Sequence, residues 1–263
     1  MNIDMDILGV GVCAPGLPDW NTLLAAFDGA SVSTEKLIST TTLLSERDRR
    51  RAPATAKLSL AAAEQACNMA GMAPDELIAI FSTGMGDMNI SDYMCRILAK
   101  NPNQLSPTQF HNSVHNAASG YWSIAVGARG DVTALCGGPD SVTVGLIEAS
   151  SRVCDTAKPI LLVMYDDIAV GPLRQLFPTQ HPFATALLLS RPMLTPAVAQ
   201  LSATAVRGKD SSLTMPSALQ DRLDDNPAAR VLPLLALIGA CTDQAITLGA
   251  EQGPSIRFRR RHT

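Results

Sequence analysis

Val132-Thr133-Ala134-Leu135-Cys136-Gly137-Gly138-Pro139-Asp140 is a short apolar run that breaks into two glycines and a proline. It predicts a strand from Val132 to Leu135, then a tight turn, Gly137 to Asp140, opening a helix that runs to about Val153. Pro139 suits the first helical turn, where its missing N–H is not needed. The same grammar recurs in both directions. Upstream, Leu77-Ile78-Ala79-Ile80-Phe81-Ser82 is a buried strand entering Thr83-Gly84-Met85-Gly86-Asp87, with a helix over Asn89 to Lys100. Downstream, Ile160 to Tyr165 and Phe183 to Leu189 are apolar throughout, and Ala197 to Val206 less purely so. Met5 to Val12 gives a first strand. Asp19 can cap a helix carrying Trp20, Leu23, Leu24 and Phe27, and Ala54 to Met72 is an Ala-rich helix closed by Gly71. Another helix is predicted from about Ser113 to Gly127, and Gly208 to Pro227 has the polarity of a long connection. A last helix, Pro227 to Cys241, precedes a strand at Ala245 to Leu248. Apolar strands alternating with helices predict an α/β fold, a mostly parallel mixed sheet covered by helices on both faces. One domain is expected over residues 1–250, with a basic tail over 251–263.

Hydrophobic residues make up 46% of the 263 but aromatics only 4%, so the core must be built from Ala, Val, Leu, Ile and Met. A formal net charge of -3 supplies no field for nucleic acid or an anionic membrane. The run Arg257 to His262 is expected to be a solvated tail. Met1 to Asp6 lacks the basic region of a leader, and the longest apolar candidate, Val231 to Cys241, is too short to span a bilayer and carries Pro233. No membrane insertion is expected. Cys13, Cys67, Cys95, Cys136, Cys154 and Cys241 form no CxxC pair, which argues against zinc and for reduced thiols in a cytoplasmic protein.

His111 and His115 stand four apart, a spacing that places both on one helical face, but they lack an intervening glutamate and a third ligand. No metal is expected. Gly84-x-Gly86 lacks the rest of a dinucleotide fingerprint, and neither a Walker-type Gly-Lys-Ser/Thr nor a Gly-x-Ser-x-Gly elbow is present, so no cofactor is expected.

From Phe81 to Val153 the chain resembles the N-terminal half of β-ketoacyl synthases. Ser82-Thr83-Gly84-Met85-Gly86 stands at their Gly-Thr-Gly turn, Ser106-Pro107 leads to Asn116-Ala117-Ala118-Ser119-Gly120, and Arg129-Gly130 opens the strand before the nucleophile. The run His111-Asn112-Ser113-Val114-His115-Asn116-Ala117-Ala118-Ser119-Gly120-Tyr121-Trp122-Ser123-Ile124-Ala125 is similar to the signature of a short chain-length-factor-like family of such synthases. So are Leu162-Val163-Met164-Tyr165-Asp166 and Pro182-Phe183-Ala184-Thr185-Ala186-Leu187. The resemblance covers the chain to about Ser190 and implies a thiolase-like half-fold.

It also implies where a synthase would keep its chemistry. The nucleophilic cysteine stands about nine residues past the Arg-Gly pair, and a gap-free count from Gly130 lands on Pro139. The two catalytic histidine motifs of the family, Gly-Thr-Ser-Thr and Gly-His-Thr-x-Gly-Ala, do not occur in the sequence. Gly137, Gly138, Pro139 and Asp140 are therefore expected to form a degenerate active-site turn. Cys136 is the competing nucleophile: it sits near an elbow and a helix N-terminus, where a thiolate is favoured, and a three-residue shift would bring it into register. The resemblance places a partner edge at Val132 to Leu135, with flanking contacts from Asn112 to Gly127. His111, His115, Asn116, Tyr121 and Trp122 are the expected interface or tunnel residues. The function implied is a non-catalytic subunit that pairs with an active ketosynthase and limits its acyl chain in fatty-acid, polyketide or aryl-polyene-type synthesis. A minimal condensing enzyme using Cys136, a structural homodimer, and an acyl-carrier-protein docking module around Arg47, Arg49, Arg50 and Arg51 remain open.

Overall fold

The computed structural model describes residues 2–35, 37, 39–193, 196–208, 213–249 and 253–261. The chain opens with β1 (Asn2–Cys13), then α1 (Trp20–Phe27), whose first turn is capped by Asp19 accepting from Thr22 N. Short α2 (Glu46–Arg51) precedes α3 (Ala54–Ala70), which ends on Gly71 in the left-handed conformation. Next come β2 (Ile78–Thr83), α4 (Met88–Lys100), α5 (Pro107–Asn112), α6 (Ala117–Val126), β3 (Val132–Cys136) and α7 (Ser141–Asp155). Two buried strands, β4 (Ile160–Asp166) and β5 (Phe183–Ser190), lead to β6 (Ala199–Val206), α8 (Ser217–Asp225) and α9 (Leu232–Ile238). Strands β7 (Ile246–Gly249) and β8 (Ser255–Arg260) complete the described elements.

The strands form one sheet in the order β3-β2-β4-β5-β1-β6-β8-β7. Each of β2, β4 and β5 splits its side chains between two cores. Ile80, Leu162, Met164 and Leu187 face one, with Val142 and Leu146 of α7 and Leu234 and Leu235 of α9. Phe81, Leu161, Val163, Tyr165 and Leu188 face the other, with α3 and Trp122 of α6. This two-sided burial is why the strands are apolar along most of their length, on both faces. The Ala-rich face of α3 lies so close to β1 that a Cβ on Gly9 or Gly11 would run into the carbonyl oxygens of Ala66 or Ala62.

Four expectations need correction. The sheet is mixed, but only β3/β2 and β2/β4 run parallel, and the other five pairings are antiparallel. The helix expected from Ser113 to Gly127 begins only at Ala117, as α6, and a separate α5 (Pro107–Asn112) precedes it across the break at Ser113–Asn116. The connection expected from Gly208 to Pro227 contains α8, and a 3₁₀ turn (Pro227–Val231) precedes α9, which stops at Ile238. The basic run is no tail: β8 pairs with β6 and β7, burying Ile256 and Phe258 while Arg257 and Arg259 alternate to the other face and Arg260 donates to Ile238 O at 3.2 Å. His262 and the expected boundary at residues 250 and 251 lie outside the described residues. No helix among the described residues is long and apolar enough to cross a membrane.

Candidate functional site

The quoted strand–turn–helix is an elbow at the sheet's edge. β3 pairs in parallel with β2, Thr83 opposite Cys136, and Gly137 N donates to Thr83 O at 3.2 Å. The chain then reverses through Gly138 at φ +57, a left-handed conformation that glycine adopts without strain. Pro139 follows on the 3₁₀ turn Gly138–Asp140 that runs into α7. A side chain on Gly138 would meet no atom within 4 Å. The tip therefore has the form of a nucleophile elbow, a sharp strand-to-helix turn presenting one residue to open space, but the tip residue is a glycine and the next a proline.

Cys136 is exposed, and its thiol donates to Gly84 O at 3.5 Å, its hydrogen-bond partner among the described residues. His111 lies in the last turn of α5, whereas His115 lies in the break before α6, beside Gly86, so the two share no helical face. His181 pairs with Asp225, Nδ1 to Oδ2 at 3.0 Å. Among the described residues no group of three or more His, Cys, Asp or Glu side chains is placed to hold a metal.

The floor beneath the elbow is the end of β4. Asp166 is wholly buried and accepts from Thr83 Oγ1 at 2.7 Å, Gly84 N at 2.8 Å and Met85 N at 3.2 Å. Burial pushes its carboxyl up to about 7, against the pull of these donors and of Ala228 N. Asn226 Nδ2 ties Asp166 O to His181 O at 3.2 and 2.7 Å. Arg230 Nη1 donates to Pro139 O at 2.9 Å, so the 3₁₀ turn before α9 braces the elbow from outside. Asn226 and Arg230 were not singled out from the sequence. Asp166 stood there only as the end of the Leu162-to-Asp166 signature, with no role given to it.

The other expected residues sort into three places. Val132 and Leu135 sit on β3, which pairs with β2 alone among the described strands and is half-exposed. Exposed Ile124 of α6 (77%) and Val144 of α7 (37%) belong to the two helices packed on the faces of this edge. His111, Asn116 and Tyr121 line a cleft of about 620 Å³ between α2, α5 and α6, together with Asp48, Arg51, Phe110, Val114 and Ile124. Phe110 and Val114 are exposed there, and buried Asn112 organises the wall, donating to Arg51 O at 2.9 Å and accepting from Tyr121 Oη at 3.3 Å. Asn116 holds the N-cap position of α6 but makes no side-chain cap bond. Trp122, expected at an interface or tunnel wall, is instead fully buried against Phe81, ring centroids 6.0 Å apart. The basic cluster is partly spent internally: Arg50 pairs with Glu46 at 2.6 Å, and Arg49 donates to Thr41 O and Leu44 O.

The family model for the β-ketoacyl synthase N-terminal domain matches residues 28–238. No curated protein matches the chain. Among solved structures, one of a ketosynthase in complex with its chain length factor from Xenorhabdus doucetiae aligns with TM-score 0.70 and 22% identity, over 98% of this chain and 100% of that one. The ishigamide ketosynthase/chain length factor gives TM-score 0.69 and 12% identity over 98% and 99%. A type II polyketide acyl-carrier protein in complex with its hexaketide-bound ketosynthase gives 0.74 and 12% over 98% and 99%. These likenesses show the fold, which is thiolase-like.

Proposed function

The chain belongs to the β-ketoacyl synthase N-terminal domain family, and from that premise we propose that it is a non-catalytic, chain-length-factor-like subunit that pairs with an active ketosynthase. The observation that carries the reading is the elbow. A condensing enzyme needs a thiolate at the turn's tip to take the acyl group, and here the tip is Gly138 followed by Pro139, neither with a nucleophile to offer. The solved structures that share the fold include complexes of a ketosynthase with a chain length factor, which supports pairing as the role left to such a chain.

The pairing surface is the β3 edge. A half-exposed strand with a neighbour on one side only among the described strands, flanked by exposed apolar side chains, is a template for another chain's strand, and Ile124 and Val144 supply the apolar flanks. The cleft beside α6, with Phe110, Val114 and Tyr121, extends that surface and is where the subunit would contact the partner or its acyl chain. The setting would be polyketide, aryl-polyene or fatty-acid synthesis, with an acyl carrier protein delivering to the partner. Cys136, exposed just before the elbow, supports the second reading, a minimal acyl-transfer enzyme.

Co-expression with a ketosynthase encoded beside it, followed by size-exclusion chromatography with light scattering, tests the pairing. A one-to-one complex is expected. A stable homodimer that ignores every such synthase would point to a purely structural assembly.

A further inference from the structure

We propose that Asp166 is a proton-operated latch: by gathering the Thr83 hydroxyl and the Gly84 and Met85 amides its carboxylate fixes the 83–86 loop against the Gly138 turn, and it gives up part of that grip when protonated. The latch concerns this chain alone and stands whether or not it pairs with a synthase.

The geometry is convergent. Oδ1 accepts from Thr83 Oγ1, Gly84 N and Met85 N, while Oδ2 stands 3.0 Å from Gly84 N. Ala228 N, from the 3₁₀ turn before α9, donates to Asn226 Oδ1 at 2.8 Å, and Asn226 Nδ2 in turn donates to Asp166 O at 3.2 Å. The loop so held touches the elbow at three points. Thr83 O accepts from Gly137 N, Gly84 O accepts from the Cys136 thiol, and Gly84 is so close to Gly138 O that a Cβ there would sit 2.8 Å from it.

Every donor to Asp166 is neutral, so the anion is held by dipoles rather than by a countercharge. The titratable and charged groups on the elements around it are Tyr165 and Asp167 beside it, Asp87 at the start of α4, and Cys136 and Asp140 at the elbow. His181 and Asp225 lie beyond Asn226, and Arg230 lies on the neighbouring turn. When the carboxyl takes a proton, one oxygen becomes a donor. Thr83 can answer by reversing its hydroxyl, but a backbone N–H can only donate, so the Gly84 and Met85 amides exchange an anionic acceptor for a neutral one and are held more weakly. Burial, which pushes the group up to about 7, brings this exchange into the neutral range.

The test is carbon-13 and amide-exchange NMR on the full-length protein, from about pH 8.5 to about pH 5.5, either side of about 7. The Asp166 carboxyl carbon is expected to titrate in that window. Exchange at Gly84 or Met85, corrected for the intrinsic rate, is expected to rise on the order of tenfold as the charge-assisted bonds weaken. Thr83→Val, which removes a donor to the anion while keeping the shape, should move the midpoint upward. Asp166→Asn should abolish the pH dependence if that variant folds. A carboxyl that titrates in the ordinary carboxylate range, or one that titrates near neutrality without any change in exchange at Gly84 and Met85, overturns the latch.

Discussion

Three kinds of side chain, a carboxylate, the thiols and an indole, make separate predictions. Because the folded carboxyl of Asp166 is raised from 3.8 to about 7, its contribution to stability is complete below the ordinary carboxylate range and is lost as the pH rises through about 7. That loss is on the order of 4 kcal/mol at most, and denaturant unfolding of wild type against Asp166→Asn across that window measures it. The trend opposes that of the local latch, which loosens as pH falls, so the two readouts separate protonation of this group from general acid unfolding. At Cys13 and Cys67 burial pushes the thiols up to about 12, while Cys95, Cys136 and Cys241 are exposed. Alkylation followed by mass spectrometry should modify those three and spare the first two until the chain unfolds. Trp122 fills the core against Phe81, so Trp122→Ala should cost about 3–5 kcal/mol in chemical denaturation. Its indole N–H is buried without a partner, so Trp122→Phe should cost much less. The Tyr121-Trp122 pair was conspicuous in the sequence, but adjacent positions on a helix point different ways, and only the fold shows which one faces inward.

At the scale of elements, the seat of α3 on β1 depends on glycine. Gly11→Ala places a methyl group against Ala62 O, which belongs to a backbone that cannot yield cheaply, and a loss of about 1–3 kcal/mol is expected by thermal or denaturant unfolding. On α6 the opposite holds. Ile124 is 77% exposed, so Ile124→Glu should change the stability of the isolated chain by no more than about 0.5 kcal/mol. If the β3 edge is the pairing surface, the same substitution should abolish co-elution with a ketosynthase. Elements with strong periodicity were legible in the sequence: β1, β2, β4 and β5 from unbroken apolar runs, α1 from Asp19, and α3 from its alanines and Gly71. The rest obeyed weaker signals. Ile256 and Phe258 alternate with arginines in the period of a strand, but the arginine run dominates the composition and suggests a tail. α8 buries Leu219 and Arg222 within a polar segment, so its apolar stripe is too thin to stand out. Strand direction was out of reach: β5 returns antiparallel to β4, and nothing in an apolar run records its polarity.

For the whole molecule, the sheet has one edge of short, half-exposed β3 and another of β7, with the elbow at the first. The turn itself was legible from Gly137, Gly138 and Pro139, whereas its standing at a synthase's nucleophile position rests on the resemblance. What supports the turn was not legible. Asp166, Asn226 and Arg230 come from distant parts of the chain, and hydrogen bonds at such separations leave no spacing to read. The arrangement that results is a braced turn with no reacting group at its tip, beside an edge open to another chain.

The most direct test of that account is a condensation assay on the co-purified complex with a ketosynthase, comparing wild type with Cys136→Ala in this chain and with loss of the partner's own nucleophile. The account predicts that Cys136→Ala keeps full activity, that no acyl group appears on this chain by intact mass spectrometry, and that losing the partner's nucleophile abolishes turnover. Acylation at Cys136, with activity lost in Cys136→Ala, would contradict it and make the chain an enzyme in its own right.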